Sequence, residues 1–220
     1  EAYLRRHIDP EVGRLVERGV ATLERLGATT VEIAPPPPAE AVPALLAILM
    51  PEATAYHLPW LRERPQDYSP AVRERLELGA VTPAVSYIQA QQVRRRVTND
   101  FLRAMDGVDL LATPAAPTAA TPLEGDLITG DEADPEVLAA LIAFSGPFNL
   151  TGFPAMSIPC GFTASGLPVG MQLVAKPWRE GALFAAGHAY EGATGWHRRL
   201  PTEVGSRKSE VGSRRNEVKR

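Results

Sequence analysis

Apolar positions along the first part of the chain alternate between helical spacing and a short β-branched run. In residues 10–26 the apolar side chains recur every three or four positions, which predicts an amphipathic helix that Gly27 ends. Residues 29–33 (TTVEI) are rich in β-branched side chains and predict a strand. The prolines at 35–38 predict a stiff, extended connector, because proline fixes φ and excludes the α region for the residue before it.

Two more helical segments follow this connector. Residues 39–57 predict a second helix, and Pro43 and Pro51 are expected to break it, because proline removes a backbone donor from the helix interior. Residues 70–78 predict a short third helix that Gly79 ends. The first half of the sequence is therefore predicted to be mainly helical.

The later part of the chain predicts strands followed by a helix. Residues 108–112 (VDLLA) predict a buried strand. Residues 155–162 and 167–175 predict two strands joined by the turn residues 163–166 (TASG), which indicates a hairpin. Residues 180–194 predict a final helix. Helices that alternate with strands, together with one hairpin, predict an α/β fold in which helices cover a mixed β-sheet.

Composition limits the class of protein. Of 220 residues, 45% are hydrophobic and 22% are charged, which is typical of a soluble globular protein. The longest apolar run, residues 41–50, is too short to span a bilayer, so we expect no membrane role and a cytoplasmic location. The single cysteine, Cys160, excludes an internal disulfide framework and any multi-cysteine metal site.

The last residues differ from the rest in charge and pattern. Residues 202–220 carry six Lys or Arg against three Glu and repeat with a period of seven (TEVGSRK, then SEVGSRR). They contain few apolar side chains, so they cannot offset their own ordering entropy, and we predict a disordered basic tail after a domain of residues 1–201. No aromatic side chain accompanies these cations to stack on bases, so we favour an inert tail over a nucleic-acid partner.

The common catalytic and ligand-binding motifs are absent from the sequence. It contains no HExxH, Walker-type, GxSxG or GxGxxG pattern, and we predict neither a metal nor a cofactor. The histidines His7, His57, His188 and His197 lack ligand spacing and are expected to be packed or exposed residues. No neighbour in sequence would lower the pKa of Cys160, so we interpret it as a core residue.

Residues 84–105 predict the longest helix, because they contain neither Gly nor Pro, and one arginine lies on its apolar face. That face has steps of three and four and comprises Tyr87, Ala90, Arg94, Val97, Phe101 and Ala104. Arg95 and Arg96 are expected to point into solvent. A buried bare charge is costly, so Arg94 either forms a structural ion pair or presents its guanidinium in a cleft to a substrate carboxylate or carbonyl. The residues alone favour the ion pair.

Three stretches resemble the amidase signature family. They are residues 87–94 (YIQAQQVR) with 109–117 (DLLATPAAP), residues 147–162 (PFNLTGFPAMSIPCGF), and residues 167–174 (LPVGMQLV) with Glu191, Trp196 and His197. The resemblance runs from about residue 9 to residue 201 and is most specific over 149–174. It implies an amidase-signature-like α/β fold and an enzyme that hydrolyses a carboxamide or transfers its ammonia. In this family a serine is the nucleophile, and a second serine in a cis peptide relays the proton to a lysine.

The resemblance does not include the family's catalytic residues. They belong to a Gly/Ser-rich motif and an earlier lysine, both N-terminal to the matched region. The only lysines here are Lys176, Lys208 and Lys219, no Gly-Gly-Ser-Ser run exists, and no serine precedes a lysine by three residues. The resemblance therefore implies the C-terminal half of an amidase, incomplete at the N-terminus and without catalytic residues. The expected partners are the missing N-terminal half and a small amide substrate.

By resemblance, this half contributes the substrate side of the site. Arg94 matches an arginine that holds a substrate carboxylate in some members, including the A subunit of glutamyl-tRNA amidotransferase. Tyr87, Pro147 and Asn149 are the other candidate substrate-binding residues, with Pro147 and Asn149 on the approach to the serine or, equally, in a structural turn. The amidotransferase has an aspartate where this chain has Ile142, which argues against glutamine as ammonia source and favours hydrolysis of a small or apolar amide.

Three functional hypotheses stay open at this stage. The chain is part of an amidase that works with its N-terminal half, either covalently or as a second chain. Alternatively, it is an inactive remnant of a split gene, or a subunit of a tRNA-linked amidotransferase, which Ile142 disfavours. In the first two cases the isolated domain should expose an apolar edge and face where other elements pack.

Overall fold

The computed structural model describes residues 8–33, 40–120 and 141–200, and these form three layers: helices, a sheet and helices. In chain order the elements are α1 (Pro10–Arg25), α2 (Ala41–Glu63), α3 (Pro70–Ala80), α4 (Ala84–Ala104), β1 (Leu110–Pro114), α5 (Gly146–Thr151), β2 (Ala155–Phe162), β3 (Pro168–Ala175) and α6 (Glu180–Thr194). Short 3-10 turns occupy Pro65–Asp67 and Trp196–Arg198. The predicted α/β class is confirmed.

The three strands lie in the order β1-β3-β2, and both pairings are antiparallel. Leu110 is opposite Ala175 in one pairing, and Ala155 is opposite Val174 in the other. The predicted hairpin of β2 and β3 is confirmed. The three described strands form no parallel pair, whereas the sequence predicted a mixed sheet.

β3 is covered on both faces, and its side chains alternate between two cores. On one face Val169, Met171, Leu173 and Ala175 pack with α1 and α6, while on the other Val174 packs with α2, α4 and α5. The second core also contains Phe101, Phe148 and Phe153, with ring centroids of Phe101 and Phe148 5.1 Å apart. This alternation is the period of two expected of a strand.

Helix α1 follows the sequence prediction closely. The Asp9 side chain accepts a hydrogen bond from the Glu11 backbone N–H at 2.6 Å and caps the helix. Gly19 allows α1 to approach the sheet, because a Cβ there would lie 3.0 Å from the Met171 sulfur. Gly27 follows the helix with φ of +102°, as expected for a helix C-terminus.

The expected break in the second helix is wrong. Residues 41–63 form one continuous helix, α2, which ends six residues later than predicted. Pro43 lies in its first turn, where the backbone N–H groups have no intrahelical partner in any case. Pro51 lies inside the helix, which packs against α3, α4 and α5. We infer that this packing outweighs the hydrogen bond that Pro51 removes.

By length and composition α2 could also cross a membrane, since its mean hydropathy reaches 1.3 over 18 residues. Soluble proteins contain core helices with the same properties, and α2 packs against three other helices on the second face of the sheet. This property was not expected from the sequence, where the longest uninterrupted apolar run covers only residues 41–50.

Gly79 does not end α3, contrary to the prediction. The helix continues to Ala80, and Gly79 lies at the contact between α3 and α2. A Cβ at this position would be 2.4 Å from the Met50 carbonyl oxygen and 2.1 Å from Thr54 Oγ1. The glycine therefore serves close helix packing rather than a turn.

The strand predicted at residues 29–33 is also wrong. These residues have no regular secondary structure, and Val31 is 64% exposed. β-branched residues favour a strand only when a neighbouring strand supplies hydrogen bonds, and none does so in the part of the chain that the structure describes. The proline connector at 35–38 and the tail at 202–220 lie outside the described residues.

The other elements agree with the sequence within a few residues. The long helix and the last helix are confirmed at Ala84–Ala104 and Glu180–Thr194, while β1 begins two residues later than predicted. Several large apolar side chains are exposed, among them Val81, Val85 and Trp178, the last at 90%. These side chains are scattered over helix ends and a turn, so the predicted apolar edge and face stay a prediction.

Candidate functional site

A cavity of about 380 Å³ opens beside the apolar face of α4, where α2 and α5 form its other walls. Leu45, Ile48, Leu49 and Leu150 give it apolar walls, and Glu52, Arg94 and Asn149 supply the polar groups. A mainly apolar cavity with a few convergent polar groups is typical of a small-molecule site.

Arg94 is half-buried on the wall of this cavity, whereas Arg95 and Arg96 are exposed, as predicted. Arg96 forms an ion pair with Glu40. No acidic side chain in the described ranges forms an ion pair with Arg94, so the structural ion pair favoured by the sequence is not found there. The guanidinium keeps its donors for another acceptor.

Tyr87 contacts the site through Glu52 and does not line the cavity itself. Its hydroxyl donates to Glu52 Oε1 at 2.7 Å and accepts from Gln91 Nε2 at 3.0 Å. These bonds hold the Glu52 carboxylate at the cavity wall. Tyr87 is thus placed to position a cavity residue that belongs to another helix.

The short helix α5 supplies Asn149 to the cavity and keeps Pro147 away from it. Asn149 is exposed and lines the wall, and its backbone N–H donates to the Ser145 carbonyl at 3.0 Å. Pro147 is buried, and its carbonyl accepts from Thr151 Oγ1 at 2.9 Å. The structure therefore brings together Arg94 and Asn149, joins Tyr87 to them through Glu52, and leaves Pro147 in the packing behind them.

The end of α5 lies directly beside Arg94. Gly152 follows the helix with φ of +75°, a conformation that favours glycine. A Cβ at this position would be 3.9 Å from an Arg94 terminal nitrogen. The residues before α5 are apolar as predicted: Ile142 is half-buried, and Ala143 and Phe144 are buried.

Gln172 is a buried polar residue that was not among the candidates predicted from the sequence. It lies in the middle of β3, where Nε2 donates to the Phe144 carbonyl at 3.0 Å and to Thr113 Oγ1 at 3.1 Å. The amide thus ties β3 both to β1 and to the segment that leads into α5. The sequence does show one amide side chain in an otherwise apolar strand. Because a buried amide needs hydrogen-bond partners, such a residue indicates contacts with neighbouring elements.

Cys160 is a core residue, as predicted. It is 3% exposed, and its thiol donates to the Val169 carbonyl with 3.4 Å between sulfur and oxygen. Burial raises the pKa of this thiol to about 11, against smaller opposing effects of a backbone hydrogen bond and the Arg18 charge. The thiol is protonated at neutral pH and is not an activated nucleophile.

The raised pKa of Cys160 predicts a loss of stability in alkali. Between about pH 9 and pH 11 the unfolded chain releases the thiol proton while the folded chain keeps it. The folded state then binds more protons, so the free energy of unfolding should fall with rising pH, by about 2 kcal/mol for this group. Urea unfolding of the chain and of Cys160→Ala at pH 8 and pH 11 measures the difference. An equal loss in the two proteins would contradict the prediction.

The three described histidines, His57, His188 and His197, show no metal-binding arrangement. His57 Nδ1 lies 3.0 Å from the Tyr68 hydroxyl, and His188 and His197 are exposed. Within residues 8–33, 40–120 and 141–200 no group of three potential ligands could hold a metal ion. His7 lies outside these ranges.

Comparison with known proteins identifies the family. The family model described as Amidase matches residues 2–184. An amidase of Pseudomonas putida is 36% identical over 90% of this chain and 43% of its own length. The A subunit of glutamyl-tRNA(Gln) amidotransferase from Moorella thermoacetica is also 36% identical, over 88% of this chain and 43% of its own length.

Solved structures give the same result. A crystal structure of an amidase aligns with a TM-score of 0.74 at 29% identity, over 87% of this chain and 44% of the other. A second structure is of a vestigial protein complex that is described with the evolutionary origins of an s-triazine catabolic enzyme. One of its chains aligns with a TM-score of 0.72 at 27% identity, over 88% of this chain and 42% of the other. The chain spans less than half the length of these relatives, and it belongs to the amidase family.

Proposed function

We propose that this chain forms the C-terminal, substrate-side part of an amidase that hydrolyses a small or apolar carboxamide. The observation that carries the proposal is the cavity lined by apolar side chains and by Arg94, whose guanidinium has no acidic partner in the described ranges. The nucleophilic serine, the relay serine and the lysine would come from the N-terminal part of the enzyme.

The side chains of the described segments do not form a Ser–Lys pair. Lys176 follows β3 and is half-buried, and no serine of these segments hydrogen-bonds to it. The cysteine is protonated, which excludes it as a substitute nucleophile at neutral pH. The residues present can therefore bind and orient an amide, and the chemistry needs groups supplied from elsewhere.

In the complete reaction a serine oxygen would attack the amide carbon, and the amine would leave with a proton. Water would then cleave the acyl-serine to give the carboxylic acid and the free enzyme. The cavity would hold the side group of the substrate against Leu45 and Ile48, and Arg94 would bind a carboxylate or carbonyl on that group. Asn149 would supply a further polar contact.

A glutamine-dependent amidotransferase subunit is the second candidate function. Its support is the 36% identity with the A subunit of the Moorella amidotransferase, a protein whose name describes one component of a larger assembly. Against it, the half-buried Ile142 lies among apolar neighbours and offers no carboxylate for a substrate amine. We therefore favour amide hydrolysis over a role in an amidotransferase.

The isolated chain is expected to be inactive. The purified 220-residue chain should release no ammonia from benzamide or propionamide above the rate of a control without protein, because it lacks the nucleophile and its base. Serine-dependent turnover by this chain alone would overturn the proposal.

A fusion protein distinguishes the C-terminal half of a working amidase from an inactive remnant. Fusing this chain behind the N-terminal part of the Pseudomonas putida amidase should restore ammonia release, and replacing the nucleophilic serine in that part should abolish it. A folded fusion without activity would favour the remnant. A lysine and a Gly-Gly-Ser-Ser motif encoded upstream of the gene would favour the working enzyme.

A further inference from the structure

A second cavity lies on the opposite face of the sheet from Arg94, between the C-terminal halves of α1 and α6. Its volume is about 360 Å³. From α1 it receives Arg18, Thr22 and Arg25, which share one helical face, and Tyr190 and Trp196 come from α6 and the turn after it. Nothing in the proposed amidase reaction uses these residues.

The charge on this cavity is unbalanced. None of its lining residues is acidic, and neither Arg18 nor Arg25 forms an ion pair with an acid of the described segments. Arg25 Nη2 donates to Thr22 Oγ1 at 2.8 Å, which fixes the guanidinium at the cavity and leaves most of its five donors for another acceptor.

The acidic side chains of α1 near this cavity do not neutralise the two arginines. Glu24 accepts a hydrogen bond from the Thr30 hydroxyl on the far side of the helix end. Glu11 and Glu17 share a neighbouring groove with Arg14 and Arg18, and neither carboxylate forms an ion pair with Arg18 within 4 Å. A ligand with anionic oxygens would therefore meet little competition for these guanidinium groups.

The helix ends also act on this cavity. The C-termini of α1 and α6 each carry about −0.5 of an elementary charge, which opposes an anion. Two guanidinium groups carry +2 together, so a net positive charge is left at the site. Arg18 and Arg25 are exposed on α1 and line the cavity together with the buried Cys160 and Tyr190.

The walls of the cavity define the rest of the ligand. The half-buried Trp196 presents aromatic surface, whereas Tyr190 at the base is only 1% exposed, and Ala21 and Ala193 present small apolar surface. We propose that this cavity binds a small organic anion, whose carboxylate or phosphate group is held by Arg18 and Arg25 and whose apolar part packs against Trp196. The shared chemistry is a planar or tetrahedral group of anionic oxygens, which guanidinium recognises with two parallel hydrogen bonds.

Binding of three probes to the full chain tests the proposal. Phenylacetate and phenyl phosphate carry the two anionic groups on an aromatic ring, and inorganic phosphate lacks the ring. We expect titration to shift the Trp196 indole N–H resonance, assigned by Trp196→Phe, and one of the aromatic probes to bind more tightly than inorganic phosphate. Whether phenylacetate or phenyl phosphate binds more tightly identifies the anionic group.

Matched variants locate the site. Arg18→Gln and Arg25→Gln should each weaken binding about tenfold or more, because each removes charge-assisted hydrogen bonds. Arg14→Gln makes the same charge change one turn earlier on α1, outside this cavity, and Arg94→Gln removes the arginine of the other cavity. When binding is measured at the Trp196 resonance, neither variant should change the affinity. Thermal unfolding of each variant verifies that it is folded.

Three results would overturn the proposal. The first is that neither aromatic probe binds. The second is that Arg18→Gln and Arg25→Gln bind the probes with the same affinity as the control Arg14→Gln. The third is that only Arg94→Gln loses binding. The last result would place the anion in the amidase cavity. Because every readout is binding, the outcome is independent of whether the chain contributes to an active amidase.

Discussion

Arg94→Ala, in an amidase assembled from this chain and an N-terminal part, should lower kcat/KM for a carboxylate-bearing amide by about tenfold to a hundredfold. A neutral amide of similar size should be hydrolysed nearly as before. The guanidinium lies on the cavity wall without an acidic partner in the described ranges, so its removal leaves no buried charge unpaired. The loss should appear mainly as a higher KM, because the contact is made equally in the bound substrate and the transition state.

The neighbouring arginine provides the control for this experiment. Arg95 has the same chemistry and lies one position along α4, but it points into solvent. Arg95→Ala should leave both substrates unaffected. If Arg94→Ala impairs the charged and neutral amides equally, Arg94 has a structural role and the substrate assignment is wrong. Steady-state kinetics with a matched pair of amides, with and without the carboxylate, make the measurement.

Gly79→Ala should destabilise the chain by about 3 kcal/mol, although it adds one methyl group to a helix. The new Cβ would lie 2.4 Å from the Met50 carbonyl oxygen and 2.1 Å from Thr54 Oγ1. The Thr54 hydroxyl lies 2.8 Å from the Met50 carbonyl oxygen and 2.6 Å from that of Leu76, so it joins α2 to α3 and has little room to move. The two helices must separate, which would disturb the wall of the Arg94 cavity.

A glycine-to-alanine substitution at position 192 should have the opposite effect on stability. Gly192 is exposed in α6, and a Cβ at this position would have no atom within 4 Å. Gly192→Ala should stabilise the chain by about 0.5–1 kcal/mol, because alanine has less backbone freedom to lose on folding. Urea unfolding of the two variants compares them directly. A mild effect of Gly79→Ala would show that the contact between α2 and α3 adjusts easily.

The predictions from sequence succeeded where one element carries its own pattern. The helix at Ala84–Ala104 has a continuous apolar face, and the hairpin of β2 and β3 has a turn sequence between two apolar runs. They failed where a distant contact decides the structure. Pro51 continues a helix that other helices support, Gly79 lies against a carbonyl 29 positions earlier in the chain, and residues 29–33 have no described partner strand.

The candidate site shows the same division. The helical period placed Arg94 on the inner face and Arg95 outside, and the resemblance singled out Asn149, which shares the cavity. Periodicity could not reveal that Tyr87 contacts Glu52, since these residues belong to different helices. Gln172 was missed for a related reason, because its two acceptors lie 28 and 59 positions away.

The central position of β3 has a consequence for amide hydrogen exchange. Its backbone N–H groups bond to β1 on one side and to β2 on the other, whereas β1 and β2 each have one edge unpaired among the described strands. The amides of β3 should therefore be the last to exchange with deuterium. In β1 and β2 only alternate amides point inward to β3, so fast and slow exchange should alternate along each of these strands. If another part of the enzyme added a strand at either edge, only the fast-exchanging amides of the strand at that edge would exchange more slowly.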